Sequence, residues 1–311
     1  MRSASILVNG PSAEQAAKYS QKCLALSIGL HINLTEGTPL CTFEAAPTLF
    51  REKPQKDPIK HVLGNGRGQM WGKEEFWKRC EGGQISAKEV RREVTAQLER
   101  YKELFGRYPS HADGHQHVQA IPQIAKVICD VLSEYGVVSL RNAAEMSKWE
   151  SSDATSSNKM SSLISPLPQY SAFLDRVRTN SLALRRHHEP NKLKEERSSN
   201  CSSSSVESCK SLVFPDHFVG LNTMGSRNSI ENLITILSAE GVGDGEAVEW
   251  MVHPGYTCAI GEGDEFAQST EREWEMNVLK SPLLTARLAE LGYKCISFED
   301  FHQTRVKECD E

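Results

Sequence analysis

Four side chains with catalytic or metal-binding chemistry recur at every second position in His111-Ala112-Asp113-Gly114-His115-Gln116-His117. Alternate residues of an extended chain share one face. An extended segment here would therefore aim three imidazoles and one carboxylate the same way. Neutral imidazole binds divalent cations, and a carboxylate can bind the ion or orient an imidazole. The spacing points to a metal site, and ligand type alone would admit Zn2+, Mn2+ or Mg2+. A ligand-free cluster of histidines is the bland account, and it suits a lone histidine better than four groups at period two.

Two further histidines sit where strands should end. His31 lies in the apolar run Leu26–Leu34 with Asn33 two positions on, and a buried polar pair is costly unless something satisfies it. Taken alone, His31 reads as a satisfied core histidine. Beside the 111–117 cluster it becomes a candidate ligand. His253-Pro254-Gly255 follows the run Ala247–Val252. A histidine there could serve as general acid or base, or could simply accompany a Pro-Gly turn. Arg141 ends another short run and could hold an anionic or carbonyl oxygen, or pair with a carboxylate.

The elements that must position these groups alternate along the chain. Residues 3–9, 26–34, 137–141, 247–252 and 293–298 read as strands. Helices are expected at 12–24, at 86–105 with a Ser86–Glu89 capping box, and at 122–135, 230–240 and 271–291. Strand–helix alternation implies a parallel sheet, either a (β/α) barrel or a doubly wound sheet. Active sites in such folds lie at the C-terminal ends of strands, where His31, Arg141 and His253 fall. The stretch from 149 to 210 breaks the rhythm. It is Ser-rich and charged, and is expected to be a largely disordered insertion, with only its centre able to pack as a helix. The domain then reads as one body, 1–148 with 211–300, followed by a tail at 301–311.

Composition removes several classes. Nine scattered cysteines contain no C-x-x-C pair, against a zinc finger or a redox motif. Their odd number and low density also disfavour a secreted disulfide framework, so the protein reads as cytoplasmic. A net charge of -5 argues against nucleic acid as partner. The chain has no apolar run of roughly 18 residues, which argues against a membrane span.

The segments SILVNG (5–10), IGLHINLTEGTPL (28–40), ELFGRYPSHADGHQHVQAIPQI (103–124), DHFVGL (216–221) and EWMVHPGY (249–256) together resemble the YdjC/ChbG-like carbohydrate deacetylases. The resemblance covers most of the chain outside the Ser-rich stretch. It implies a distorted (β/α) TIM-like barrel and a Mg2+-dependent hydrolase that removes acetyl groups from N-acetylated sugars or oligosaccharides. It implies His31 and His115 as metal ligands, with His111, Asp113 and His117 behind them or facing substrate. His253 would be the acid for the leaving amine, and Arg141 a contact to substrate or oxyanion. A homodimer is an option. The family's opening strand ends in an Asp-Asp element that supplies a metal ligand and the general base. In this sequence the first Asp is Asp57. The expectation is therefore a shortened form that lacks the first βα unit and has impaired activity. The alternative is an inactive barrel that binds sugar or a protein partner.

Overall fold

The computed structural model describes residues 1–52, 68–144, 171–188, 212–239, 242–258 and 268–310. The chain divides into two compact units. One comprises Arg2–Arg141, Ala183–Phe214 and Ile296–Glu311; the other comprises Asn142–Leu182 and Pro215–Cys295 together with Met1.

The first unit is built on strands β1 (Ser3–Ile6), β2 (Ser27–Ile32), β3 (His111–Gly114) and β4 (Ser139–Leu140). They pair in the order β1-β2-β3-β4, and every pairing is parallel. Parallel neighbours need crossover connections. Helix α1 (Ala13–Ser20) links β1 to β2; α2 (Lys73–Glu81) and α3 (Ala87–Phe105) lie between β2 and β3; α4 (Pro122–Glu134) lies between β3 and β4. Val213 extends the β4 edge through a parallel bridge to Ser139.

The two faces of this sheet follow from β2, Ser-Ile-Gly-Leu-His-Ile. Alternation sends Ile28, Leu30 and Ile32 one way and Ser27, Gly29 and His31 the other. Leu30 and Ile32 are fully buried, as are Val94, Leu98 and Tyr101 of α3. The Tyr101 hydroxyl donates to the Ile28 carbonyl at 2.7 Å, fixing helix to strand. Register puts His31 opposite Asp113 and His111 opposite Ser139, so the other face carries a polar row.

Several expectations shift here. Helix α3 ends at Gly106, left-handed at φ 72°, as a C-terminal glycine allows. The expected capping box does not form, because Ser86 makes no side-chain cap. The Glu89 carboxylate instead accepts both the amide and the hydroxyl of Thr48 at 2.7 Å. Residues 293–298 form no strand. Phe298 opens helix α9 (Phe298–Asp310), its amide donating to Ser3 Oγ at 3.0 Å, so most of the expected tail is helical.

The second unit pairs β5 (His217–Val219) with β6 (Val248–Trp250), again parallel. Helix α6 (Ile230–Ala239) contributes Leu233, Ile234, Ile236 and Leu237 to its core, with Val219, Leu284 and Leu288. The single helix expected over 271–291 is two: α7 (Glu271–Lys280) and α8 (Pro282–Glu290). Pro282 disfavours helical backbone at the preceding residue, and Ser281 is accordingly extended at ψ 125°. Within the Ser-rich stretch, Ser171–His188 form helix α5, with Val177 and Ser181 buried. The remainder of 149–210 that was expected to be disordered lies outside the described residues.

The architecture is thus α/β with parallel strands. Among the described residues these form one sheet of four strands and one of two.

Candidate active site

The polar row of the four-stranded sheet brings His31, Asp113, His115 and Arg141 together. His31 Nδ1 lies 2.9 Å from Asp113 Oδ1, and Arg141 donates to Asp113 Oδ2 at 2.7 Å. The other imidazole nitrogen, His31 Nε2, faces His115 Nδ1 at 3.2 Å, with the rings edge to face. His115 Nε2 in turn meets Glu36 Oε2 at 3.0 Å. Gln116 Nε2 donates to Glu36 Oε1 at 2.5 Å. The row is therefore a chain of contacts: Arg141, Asp113, His31, His115, Glu36.

Asp113 is almost fully buried, which by itself opposes ionisation. The Arg141 guanidinium and then His31 outweigh that burial and hold its carboxyl well below the usual range. Glu36 is also lowered, chiefly by its hydrogen bond with His115. Both carboxylates are thus acceptors, so His31 donates through Nδ1 and His115 through Nε2. In neutral imidazoles that leaves a bare lone pair on His31 Nε2 and another on His115 Nδ1, facing each other. Two lone pairs at this separation repel unless a proton or a cation lies between them. Two nitrogens each about 2.1 Å from one ion would sit roughly 3.0–3.4 Å apart, which the pair matches. Among the described residues no three His, Cys, Asp or Glu side chains are arranged to hold a metal ion. The pair fits such an ion as two donors of a larger set.

The period-two reading holds through His111 and Asp113 and fails at His117. Strand β3 ends at Gly114, and Gln116 and His117 turn left-handed at φ 51° and 60°. His117 is buried in that turn, beyond the alternation that defines the face. His111 does not join the row of contacts. It packs over Gly29, where an added Cβ would come within 2.5 Å of the ring, and stacks on Phe298 with centroids 4.4 Å apart. Burial lowers its pKa to about 4. Arg141 pairs with Asp113, the carboxylate partnership that its position also allowed.

Asn33 proves to be a turn residue. Its side-chain oxygen accepts the amides of Thr35 and Glu36, both at 3.1 Å, and its Nδ2 donates to the Glu36 carbonyl at 2.8 Å. Its backbone is held on both sides by Gln97, fully buried on α3. Neighbouring Glu93 accepts the amides of Leu40 and Cys41. These contacts fix the loop that presents Glu36. Sequence reasoning missed Glu36, Glu93 and Gln97. The i, i+4 spacing of two polar residues on an otherwise apolar helix face was the available signal for the last two.

His253 belongs to the second unit, just beyond β6. Its backbone amide donates to the buried carboxylate of Glu275, and its carbonyl accepts from Arg272 Nε at 3.2 Å. Both partners lie on α7.

A model of the YdjC-like protein family matches residues 1–290. The chain belongs to that family. Carbohydrate deacetylases from Mus musculus and Homo sapiens are each 30% identical to it over 98% of its length, covering 87% and 84% of their own. A chitooligosaccharide deacetylase from Escherichia fergusonii is 34% identical over 43% of this chain and 46% of its own. A cellobiose-phosphate cleavage protein from Enterococcus faecalis superposes with a TM-score of 0.59 at 19% identity, over 96% of this chain and 87% of that one. That likeness supports the α/β fold. No helix among the described residues is long and apolar enough to cross a membrane.

Proposed function

We propose that this protein is a metal-dependent hydrolase that removes acetyl groups from N-acetylated sugars, working on a distorted (β/α) barrel. The observation that carries the reading is the pair of facing imidazole nitrogens, His31 Nε2 and His115 Nδ1, each left bare by a carboxylate at the far side of its ring. The deacetylase relatives supply the substrate class.

His31 and His115 would hold the ion, with Mg2+ the expected metal. A bound divalent ion supplies polarisation of the acetamide carbonyl and a more acidic water. The chain's own residues do the rest. Asp113 and Glu36 accept from the two imidazoles and hold them aimed at each other. Arg141 keeps Asp113 ionised and in place. His253 protonates the departing amine: water oxygen bonds to the carbonyl carbon and gives up a proton to solvent, the C–N bond breaks, the imidazolium proton passes to nitrogen, and His253 regains a proton from solvent. The products are acetate and a free amino sugar. The resemblance assigns two neighbouring aspartates as metal ligand and general base, and the first aspartate of the 311 residues is Asp57. Mg2+ favours oxygen donors. We therefore expect these residues alone to bind the ion weakly.

Calorimetric titration with Mg2+, Mn2+ and Zn2+, paired with acetate release from N-acetylglucosamine oligomers, tests the reading. It is applied to this chain, to H31A and H115A, and to a form extended by a strand ending in Asp-Asp. Binding that weakens in both variants, and hydrolysis that rises in the extended form, are the expected results. Metal binding indifferent to both histidines would overturn the site. Absence of acetate release in every form would leave the inactive sugar-binding or partner-binding alternative.

A further inference from the structure

We propose that Glu275 is a positioning residue for His253, fixing the turn that carries it by gripping the main chain. This rests on the reading of His253 as the proton donor. Glu275 is 1% exposed, and its carboxylate gathers donors from two separate loops. Oε2 accepts the amide of His253, and Oε1 accepts the amide of Gly225 at 2.7 Å.

A buried carboxylate is expensive unless its lone pairs are filled, and here backbone amides fill them. Arg272, one helical turn earlier on α7, takes the His253 carbonyl at 3.2 Å, and its own carbonyl accepts the Gly255 amide at 3.3 Å. Residues three apart on a helix share a face. One face of α7 therefore holds His253 by both its N–H and its C=O, and the turn again at Gly255. Gly255 fits that grip closely, since an added Cβ would lie 2.6 Å from the Arg272 guanidinium. Thr257 continues the attachment, donating its amide to Glu273 Oε1 at 3.0 Å.

A turn of Pro and Gly following a three-residue strand has little order of its own. The consequence of the α7 grip is a defined origin for the His253 side chain. Misplacing a reacting group by about 1 Å can cost on the order of 100-fold in rate. The burial that makes Glu275 exacting also raises its pKa, so the grip weakens if the carboxyl is protonated and can no longer accept both amides equally.

The test uses the full chain with E275Q, R272A, H253A and the E275Q/H253A double variant. Amide exchange is followed at 251–257 and at 225. Acetate release is followed as separate kcat and KM. The expected results are exchange at least tenfold faster at 253 and 225 in E275Q, a smaller rise at 255 in R272A, and unchanged exchange in β1–β4. E275Q lowers kcat about 10–100-fold with KM nearly constant, and adds nothing in the H253A background. Unchanged exchange at 253 in E275Q overturns the proposal, as does a kcat loss in E275Q that repeats undiminished on H253A. If H253A keeps full activity, the proton-donor reading fails while the exchange data still decide the grip. If E275Q does not fold, R272A carries the same comparison. Where hydrolysis is too slow to follow, exchange alone decides.

Discussion

In the four-stranded unit, the imidazoles of His31 and His115 each rest on a carboxylate. In the two-stranded unit it is the main chain of His253 that is held, by Glu275 and Arg272. The two arrangements suit different tasks. A carboxylate on one ring nitrogen decides which nitrogen carries the proton, so the other is committed as a lone-pair donor. A grip on the backbone fixes where the side chain starts and leaves protonation to the ring's surroundings. A metal ligand needs the first kind of constraint. A group that must gain and lose a proton each cycle is better served by the second.

The contrast can be broken most severely at Asp113. Asp113→Ala would leave the half-buried Arg141 without this carboxylate and His31 without its acceptor. Unfolding in denaturant should show a loss of about 3–5 kcal/mol, as for other broken buried pairs. A loss below about 1 kcal/mol would mean that the row is solvated and weakly coupled. Next comes acid stability. His111 titrates at about 4 in the folded protein against 6.5 ordinarily, because burial disfavours its charged form. The unfolded chain therefore binds the proton first. Stability is complete above about pH 6.5 and falls as pH drops toward 4, by about 3 kcal/mol at the limit. His111→Phe, which keeps a ring beside Phe298, should flatten that slope in denaturant titrations between pH 4 and 7.

Smaller changes compare the two units directly. Gly29→Ala places a Cβ 2.6 Å from the His111 carbonyl oxygen as well as against its ring, and backbone cannot move aside cheaply. We expect about 1–3 kcal/mol of destabilisation. Glu36→Gln keeps the shape but weakens the acceptor for His115. Glu36 is partly exposed, so metal affinity by calorimetry should fall by about tenfold, the lower end for an outer partner. Gly255→Ala meets only the guanidinium end of the Arg272 side chain, and its thermal denaturation should change by less than about 1 kcal/mol. If Gly255→Ala proves more damaging than Gly29→Ala, the second unit is the more tightly packed of the two, and the comparison reverses.

The period-two pattern of β2 and β3 was legible from sequence because strand alternation is a local rule. His31, Asp113 and His115 were found that way, and Ile28, Leu30 and Ile32 identify the buried face by the same rule. Gly106 ended its helix for an equally local reason. The misreadings arise where a local rule met a competitor from elsewhere. Ser86 and Glu89 have capping-box spacing, yet Thr48, 41 residues away from Glu89, takes the carboxylate. Residues 293–298 have strand composition, but Phe298 is drawn into a helix end tied to Ser3. Pro282 was a visible breaker inside the expected 271–291 helix, and its steric effect on Ser281 prevailed.

The sequence by itself determined which side chains could do chemistry, which strands carry them and the family to which they belong, because residue type and periodicity are properties of neighbours along the chain. Only the tertiary structure decided what each one touches. Arg141 pairs with Asp113, His111 stacks on Phe298, and the carboxylates of Glu36 and Glu275 reach the His115 ring and the His253 amide. Those roles depend on contacts between residues 22 to 187 positions apart, and no local pattern encodes such a distance.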